Sequence, residues 1–127
     1  VDVRSYSPLV LAYIGDGIYE LVIRTAVVGQ GNRQANALHK KTSTYVKASA
    51  QAAMMEAILE DLTEEELAVY KRGRNAKTVS MAKHATMHDY RHATGFEALM
   101  GYLYLTDQMK RMIDLIKIGM ERTGGTP

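Results

Sequence analysis

No cysteine occurs anywhere in the 127 residues. Disulfides and thiolate metal sites are therefore excluded, and the composition suits a reducing compartment, so the cytoplasm is the expected location. No apolar run approaches the roughly 20 residues that cross a bilayer. The N-terminus lacks the basic-then-apolar pattern of a signal peptide, and no membrane partner is expected. The chain also lacks a strong charge of one sign. Its 16 Lys and Arg against 14 Asp and Glu leave a net +2, too little by itself to argue for a polyanionic partner. No internal repeat, low-complexity tract or linker divides the chain, and no segment reads convincingly as a strand. What remains is one all-α domain over residues 1–127, with 46% hydrophobic residues to build its core.

The charges that are present are segregated. Residues 56–66 hold six acids: Glu56, Glu60, Asp61, Glu64, Glu65 and Glu66. Residues 70–92 hold six bases, Lys71, Arg72, Arg74, Lys77, Lys83 and Arg91, against Asp89 alone. One face is therefore suited to phosphates.

Five or six helices are expected. Ser7-Pro8 is a cap followed by proline at the first turn, opening a helix to about Val28 that ends in Gly29-Gln30-Gly31. Gly15 and Gly17 inside it each cost about 1 kcal/mol against alanine. They point to close helix packing or to a backbone that must approach something. A second helix starts near Arg33 and breaks near residues 47–49, and a third runs from Gln51 to Leu62. Thr63-Glu64-Glu65-Glu66 is a capping box for a short helix ending at Gly73. Residues 74–80 read as an exposed basic loop. The next helix ends near Leu105. Thr106-Asp107 caps a last one, Gln108 to Arg122, with Met109, Met112, Ile113, Ile116 and Met120 on its inner stripe.

Two acids stand out because apolar residues surround them. Asp16 lies within Leu11-Ala12-Tyr13-Ile14-Gly15-Asp16-Gly17-Ile18-Tyr19, and Glu97 within Phe96-Glu97-Ala98-Leu99-Met100-Gly101-Tyr102. A carboxylate buried without a partner is very costly, so each needs a partner, a metal or a wet cleft. Two such acids on two helices can meet across a bundle and hold a hard divalent cation. The plainer alternatives are a salt-bridged ladder of Asp16, Glu20 and Arg24 at i, i+4 and i+8, and a Glu97 paired with an arginine such as Arg91. His84, His88 and His92 recur every four residues, a spacing that can bind zinc, but without the glutamate of an HExxH site. They are read as a polar stripe, near a nucleic acid or at the rim of a subunit interface.

These blocks carry a resemblance. The stretch from Tyr13 to Leu21 resembles the ribonuclease III signature, and Phe96 to Leu105 is similar to that family's second acidic block. Between them, Gly73-Arg74-Asn75-Ala76-Lys77-Thr78 is similar to its basic glycine loop. With no double-stranded-RNA-binding domain following, the pattern resembles the short Mini-III branch. The chain departs from the family at Leu9, Ala12 and Thr94, where further acids are usual.

The resemblance implies a helical bundle like the ribonuclease III catalytic domain. It also implies a magnesium-dependent endoribonuclease, with manganese able to substitute, that cuts double-stranded RNA to 5′-phosphate and 3′-hydroxyl ends. Asp16 and Glu97 are the expected catalytic and metal residues, with water and RNA phosphate completing the shell, and Glu20 and Thr94 are possible supports. Lys40, Lys41, Lys71, Arg72, Arg74, Asn75 and Lys77 are the expected RNA contacts, Lys47 lying beside the first two. A homodimer acting on precursor large-subunit (23S) ribosomal RNA is implied in the same way. The rival readings are a non-catalytic RNA- or ribosome-associated domain and a histidine-based zinc-binding helical protein.

Overall fold

The computed structural model describes residues 2–76 and 86–124. They form six α-helices, α1 (Pro8–Gly29), α2 (Ala35–Val46), α3 (Ala48–Ile58), α4 (Glu64–Arg74), α5 (Met87–Leu105) and α6 (Met109–Thr123), with no strand among the described residues. The expected all-α fold is the fold observed.

Local chemistry sets most of the boundaries. Ser7 Oγ accepts from the Val10 amide at 3.2 Å, and Pro8 supplies a first-turn residue that needs no donor. Thr63 and Glu66 form the reciprocal capping box, at 3.1 and 2.9 Å. Thr86 Oγ1 accepts from Asp89 at the start of α5. Gly124, at φ +102, ends α6 in the left-handed conformation that glycine adopts without penalty.

Three boundaries differ from the sequence reading. The third helix stops at Ile58 and tightens into a 3₁₀ turn over Leu59–Asp61. Arg74 belongs to the last turn of α4 instead of a loop. Thr106-Asp107 does not cap α6: Gln108 stands at that position without a side-chain cap bond, and the Thr106 hydroxyl donates to the Tyr102 carbonyl at 2.7 Å. The inner stripe of α6 is also shifted. Leu115 is fully buried, whereas Met109 is exposed.

The core gathers around α5. From Ala93 to Leu103 every residue of that helix except Glu97 is buried, so α5 is enclosed on nearly all sides. It runs antiparallel to α1, and α3 and α4 also pack on it. Tyr19 and Phe96 meet edge to face with ring centroids 5.0 Å apart. The Tyr19 hydroxyl donates to the Tyr45 carbonyl at 3.0 Å and ties α1 to the end of α2.

One ion pair is built into this core. Arg111 of α6 grips Glu66 of α4 in a fork, Nε to Oε2 at 2.9 Å and Nη2 to Oε1 at 2.8 Å, and also donates to the Asp61 carbonyl. Glu66 is 4% exposed, and the Arg111 guanidinium holds its carboxyl below the usual range. Arg111→Met should cost about 3 kcal/mol by leaving that carboxylate unpaired, lowering the melting temperature by about 10 °C. A depressed native pKa gives stability that is present above the unfolded value near 4.5 and lost as the pH falls below it. The difference between variant and wild type should therefore shrink in melts below that pH. A constant difference down to pH 3 would contradict the account.

Candidate active site

Two glycines bring α1 and α5 into backbone contact. A Cβ on Gly15 would lie 1.7 Å from the Glu97 carbonyl oxygen, and one on Gly101 would lie 2.0 Å from the Leu11 carbonyl oxygen. Only residues without side chains allow this approach. Gly17 has nothing within 4 Å of its Cβ position, so of the two glycines in the α1 motif only Gly15 serves packing. The contact places Asp16 and Glu97, each next to a contact point, on the same seam.

Asp16 is exposed at the edge of that seam, while Glu97 is half-buried. Of the possible solutions for a carboxylate in an apolar helix, Asp16 has the wet one. The Asp16 carboxyl is near enough to Glu97 to act on it. Burial first, and then the Asp16 hydrogen bond and charge, push the Glu97 carboxyl up to about 8. The Gln51 amide of α3 lies near Glu97 and partly offsets that rise. Among the described residues no arginine or lysine pairs with Glu97.

The donor set fits a hard divalent ion. Both side chains offer oxygen, and a buried oxygen of Gln51 lacks a partner. Among the described residues no three His, Cys, Asp or Glu side chains converge. A cation here has two protein carboxylates and draws its other ligands from water or substrate, as magnesium readily does. The two residues expected as supports are engaged with other partners. Glu20 pairs with Arg24 at 3.1 Å, and the buried Thr94 hydroxyl donates to the Tyr90 carbonyl at 2.9 Å.

The basic residues divide between two places. Lys71 and Arg72 are exposed on the last turn of α4, Arg72 donating to the Tyr6 carbonyl at 3.3 Å. Arg74 lies 5.5 Å from the Tyr70 ring centroid and donates to Asn75. Lys40 is exposed on α2, and Lys41 binds the Gln30 side chain. Lys77 and His84 lie outside the described residues. Gly73 is not open to a phosphate. It is buried against α5, where a Cβ would lie 2.8 Å from that of Ala98.

His88 and His92 stack with centroids 4.0 Å apart, and His92 Nδ1 is 3.0 Å from the His88 carbonyl oxygen. With Arg74, Asn75, Met87 and Arg91 they line a surface cup of about 330 Å³. At about 100° per residue, this pair lies roughly 140–180° around α5 from Glu97. The histidines therefore belong to a different face from the carboxylates.

Comparison with known proteins decides the family. A model of the Ribonuclease III domain matches residues 9–108. The chain belongs to the ribonuclease III family. A Mini-ribonuclease 3 from Enterococcus faecalis is 50% identical, the match covering 98% of this chain and 96% of that protein. One from Streptococcus pneumoniae is 39% identical over 98% of this chain and 99% of that one. The crystal structure of protein FN1578 from Fusobacterium nucleatum superimposes with a TM-score of 0.85 at 34% identity, covering 96% of this chain and 98% of that one. The chain is thus an endoribonuclease of the Mini-ribonuclease 3 branch. Within this ribonuclease III fold, sequence reasoning missed Gln51 and Arg111. Gln51 left one signal, a lone amide within the apolar run Ala48 to Met55. Arg111 left none.

Proposed function

We propose that this enzyme is a magnesium-dependent endoribonuclease that cuts both strands of duplex RNA, leaving 5′ phosphates and 3′ hydroxyls. The observation that carries the reading is the meeting of Asp16 and Glu97 across the glycine seam. A bound divalent cation supplies activation of water for attack on phosphorus and neutralises charge on the phosphate and the leaving 3′ oxygen. Asp16, open to solvent, is the entry ligand. Glu97, half-buried with its carboxyl pushed up to about 8, would hold the cation as its carboxylate, so binding should liberate protons. The likeness to the Mini-ribonuclease 3 branch supports precursor large-subunit ribosomal RNA as substrate and the cytoplasm as location. No helix among the described residues is long and apolar enough to cross a membrane. The test is gel analysis of a long RNA duplex, and of its separate strands, with and without magnesium. Cutting of the duplex only, and only with magnesium, is expected; magnesium-independent cutting would overturn the reading.

The proposed working form is a homodimer. Leu9, Val10 and Tyr13 on the first turns of α1 are exposed, Tyr13 by 83%, as are Tyr104 and Leu105 where α5 ends. The antiparallel crossing at Gly15 and Gly101 puts these at one end of the molecule. A second copy would cover such apolar surface and double the basic area offered to RNA. Light scattering should give twice 14.1 kDa. A monomeric mass at concentrations where the enzyme is active would contradict this.

RNA is proposed to run across Lys71, Arg72 and Arg74, the last-turn bases of α4. Replacing all three with alanine should weaken every duplex alike. It should also flatten the log–log salt slope by about 0.9 per lost contact in the duplex-DNA limit. An unchanged affinity and slope would shift the RNA to Lys40, Lys41 and Lys47.

A further inference from the structure

Gln51 is an anomaly in the core. It is 2% exposed, in the first turn of α3, which also buries Ala52, Met54 and Met55. Its Nε2 donates to the Val46 carbonyl at 2.9 Å, across the break that separates α2 from α3 at Lys47. That bond fixes the plane of the amide. The second Nε2 hydrogen is free, and the amide lies close enough to Glu97 to counter part of the rise that burial causes in its carboxyl. The oxygen Oε1 has no partner, the one buried side-chain N or O atom among the described residues left so. A dry, unpaired amide oxygen costs stability, and an apolar side chain of the same shape would avoid the cost. Glutamine at this place therefore serves something besides packing.

We propose that Gln51 is a positioning residue of the cation site. Its Nε2 holds the Glu97 carboxylate facing Asp16, and its Oε1 accepts a hydrogen bond from a water in the shell of a divalent cation. The inference rests on the metal-dependent reading above and deepens it. Partners that hold a metal's ligands from behind commonly change metal affinity by about 10–100-fold. Gln51 is held rigidly enough to act in this way. One end is tied to the main chain of α2, and its donor and acceptor leave the same fixed plane.

The test is manganese binding to the full chain without RNA, read from the electron paramagnetic resonance signal of free manganese. Gln51→Met keeps the side-chain volume and removes both polar groups. Gln51→Asn keeps the amide but withdraws it by one methylene, and answers the question if the first variant does not fold. Met54→Ala, on the same helix but packed on Gly119 of α6, controls for lost stability. Either Gln51 variant should bind manganese about tenfold or more weakly, keep its duplex affinity, and recover cleavage when magnesium is raised. Met54→Ala should melt lower with manganese affinity unchanged.

Wild-type manganese affinity in the Gln51 variants would overturn the proposal. So would an equal loss of affinity in Met54→Ala at matched melting temperature. The two readings fail separately. A wild type that binds manganese and leaves duplex RNA intact sinks the proposed function alone. A wild type that cuts RNA beside a Gln51 variant that binds manganese normally sinks this inference alone.

Discussion

Asp16→Asn should abolish cleavage while leaving the fold and duplex binding in place. The exchange preserves shape and removes one charge from an exposed side chain, so no packing is lost. What is lost is one of the two carboxylates that can hold a cation on this seam. The expected fall in single-turnover rate is about three orders of magnitude, the scale of losing a main source of charge stabilisation in the transition state. Glu97→Gln should fail as completely, with a second signature. The Glu97 carboxyl is pushed up to about 8, from an ordinary value of 4.5. Between those values the native state holds a proton that the unfolded chain has released. Wild-type stability therefore falls as the pH rises through that window, and Glu97→Gln escapes the fall. Without metal, the variant should melt higher than wild type at pH 9, and magnesium should narrow the difference. Normal turnover by either variant at saturating magnesium would remove the pair from the chemistry.

Gly15→Ala should be the most damaging small substitution in the chain. Its Cβ would meet three backbone atoms of α5: the Glu97 carbonyl oxygen at 1.7 Å, its carbon at 2.7 Å and the Gly101 nitrogen at 2.8 Å. Main-chain atoms of a central helix cannot rotate away as a side chain can. Restoring ordinary contact requires α1 and α5 to separate by about 1.5 Å. Such overpacking should cost more than about 3 kcal/mol and lower the melting temperature by more than about 10 °C. It would also part Asp16 from Glu97, so activity should fall even below the melting transition. Gly17→Ala, two residues away, should do the opposite. Open space surrounds it, and alanine gains about 1 kcal/mol of helix propensity. Thermal melts of the two variants side by side check this. Equal effects of either sign would mean the seam is not a backbone contact.

What could be read in the sequence was local or patterned. Ser7-Pro8 and Thr63 to Glu66 are caps whose partners lie within three residues, and both helix starts fell where the sequence put them. Asp16 and Glu97 were visible because a carboxylate in an apolar helix demands an explanation and because the flanking residues matched a known signature. What the sequence hid depends on contacts distant along the chain. Arg111 and Glu66 are 45 residues apart, and neither residue type signals burial. Gly73 sits among basic residues, and only the approach of α5 shows that it serves packing. Gly15 and Gly17 look equivalent until the partner helix is placed. The third helix stopped early because Leu59 to Asp61 tightens into a 3₁₀ turn, whose Asp61 carbonyl then accepts from Arg111. Gln51 became informative only when its oxygen was found buried and unpaired.

The central claim is that Asp16 and Glu97 form one cation-dependent hydrolytic centre acting on duplex RNA. End-group analysis of the products from a long RNA duplex reaches it most directly, comparing wild type, Asp16→Asn and Glu97→Gln with magnesium and with a chelator. The account predicts 5′ phosphates and 3′ hydroxyls from wild type with magnesium, and no products from either variant or from any sample with the chelator. Cyclic 2′,3′-phosphate ends would show attack by the RNA's own 2′ hydroxyl instead of water. That result, or cleavage that survives either substitution, would contradict the account.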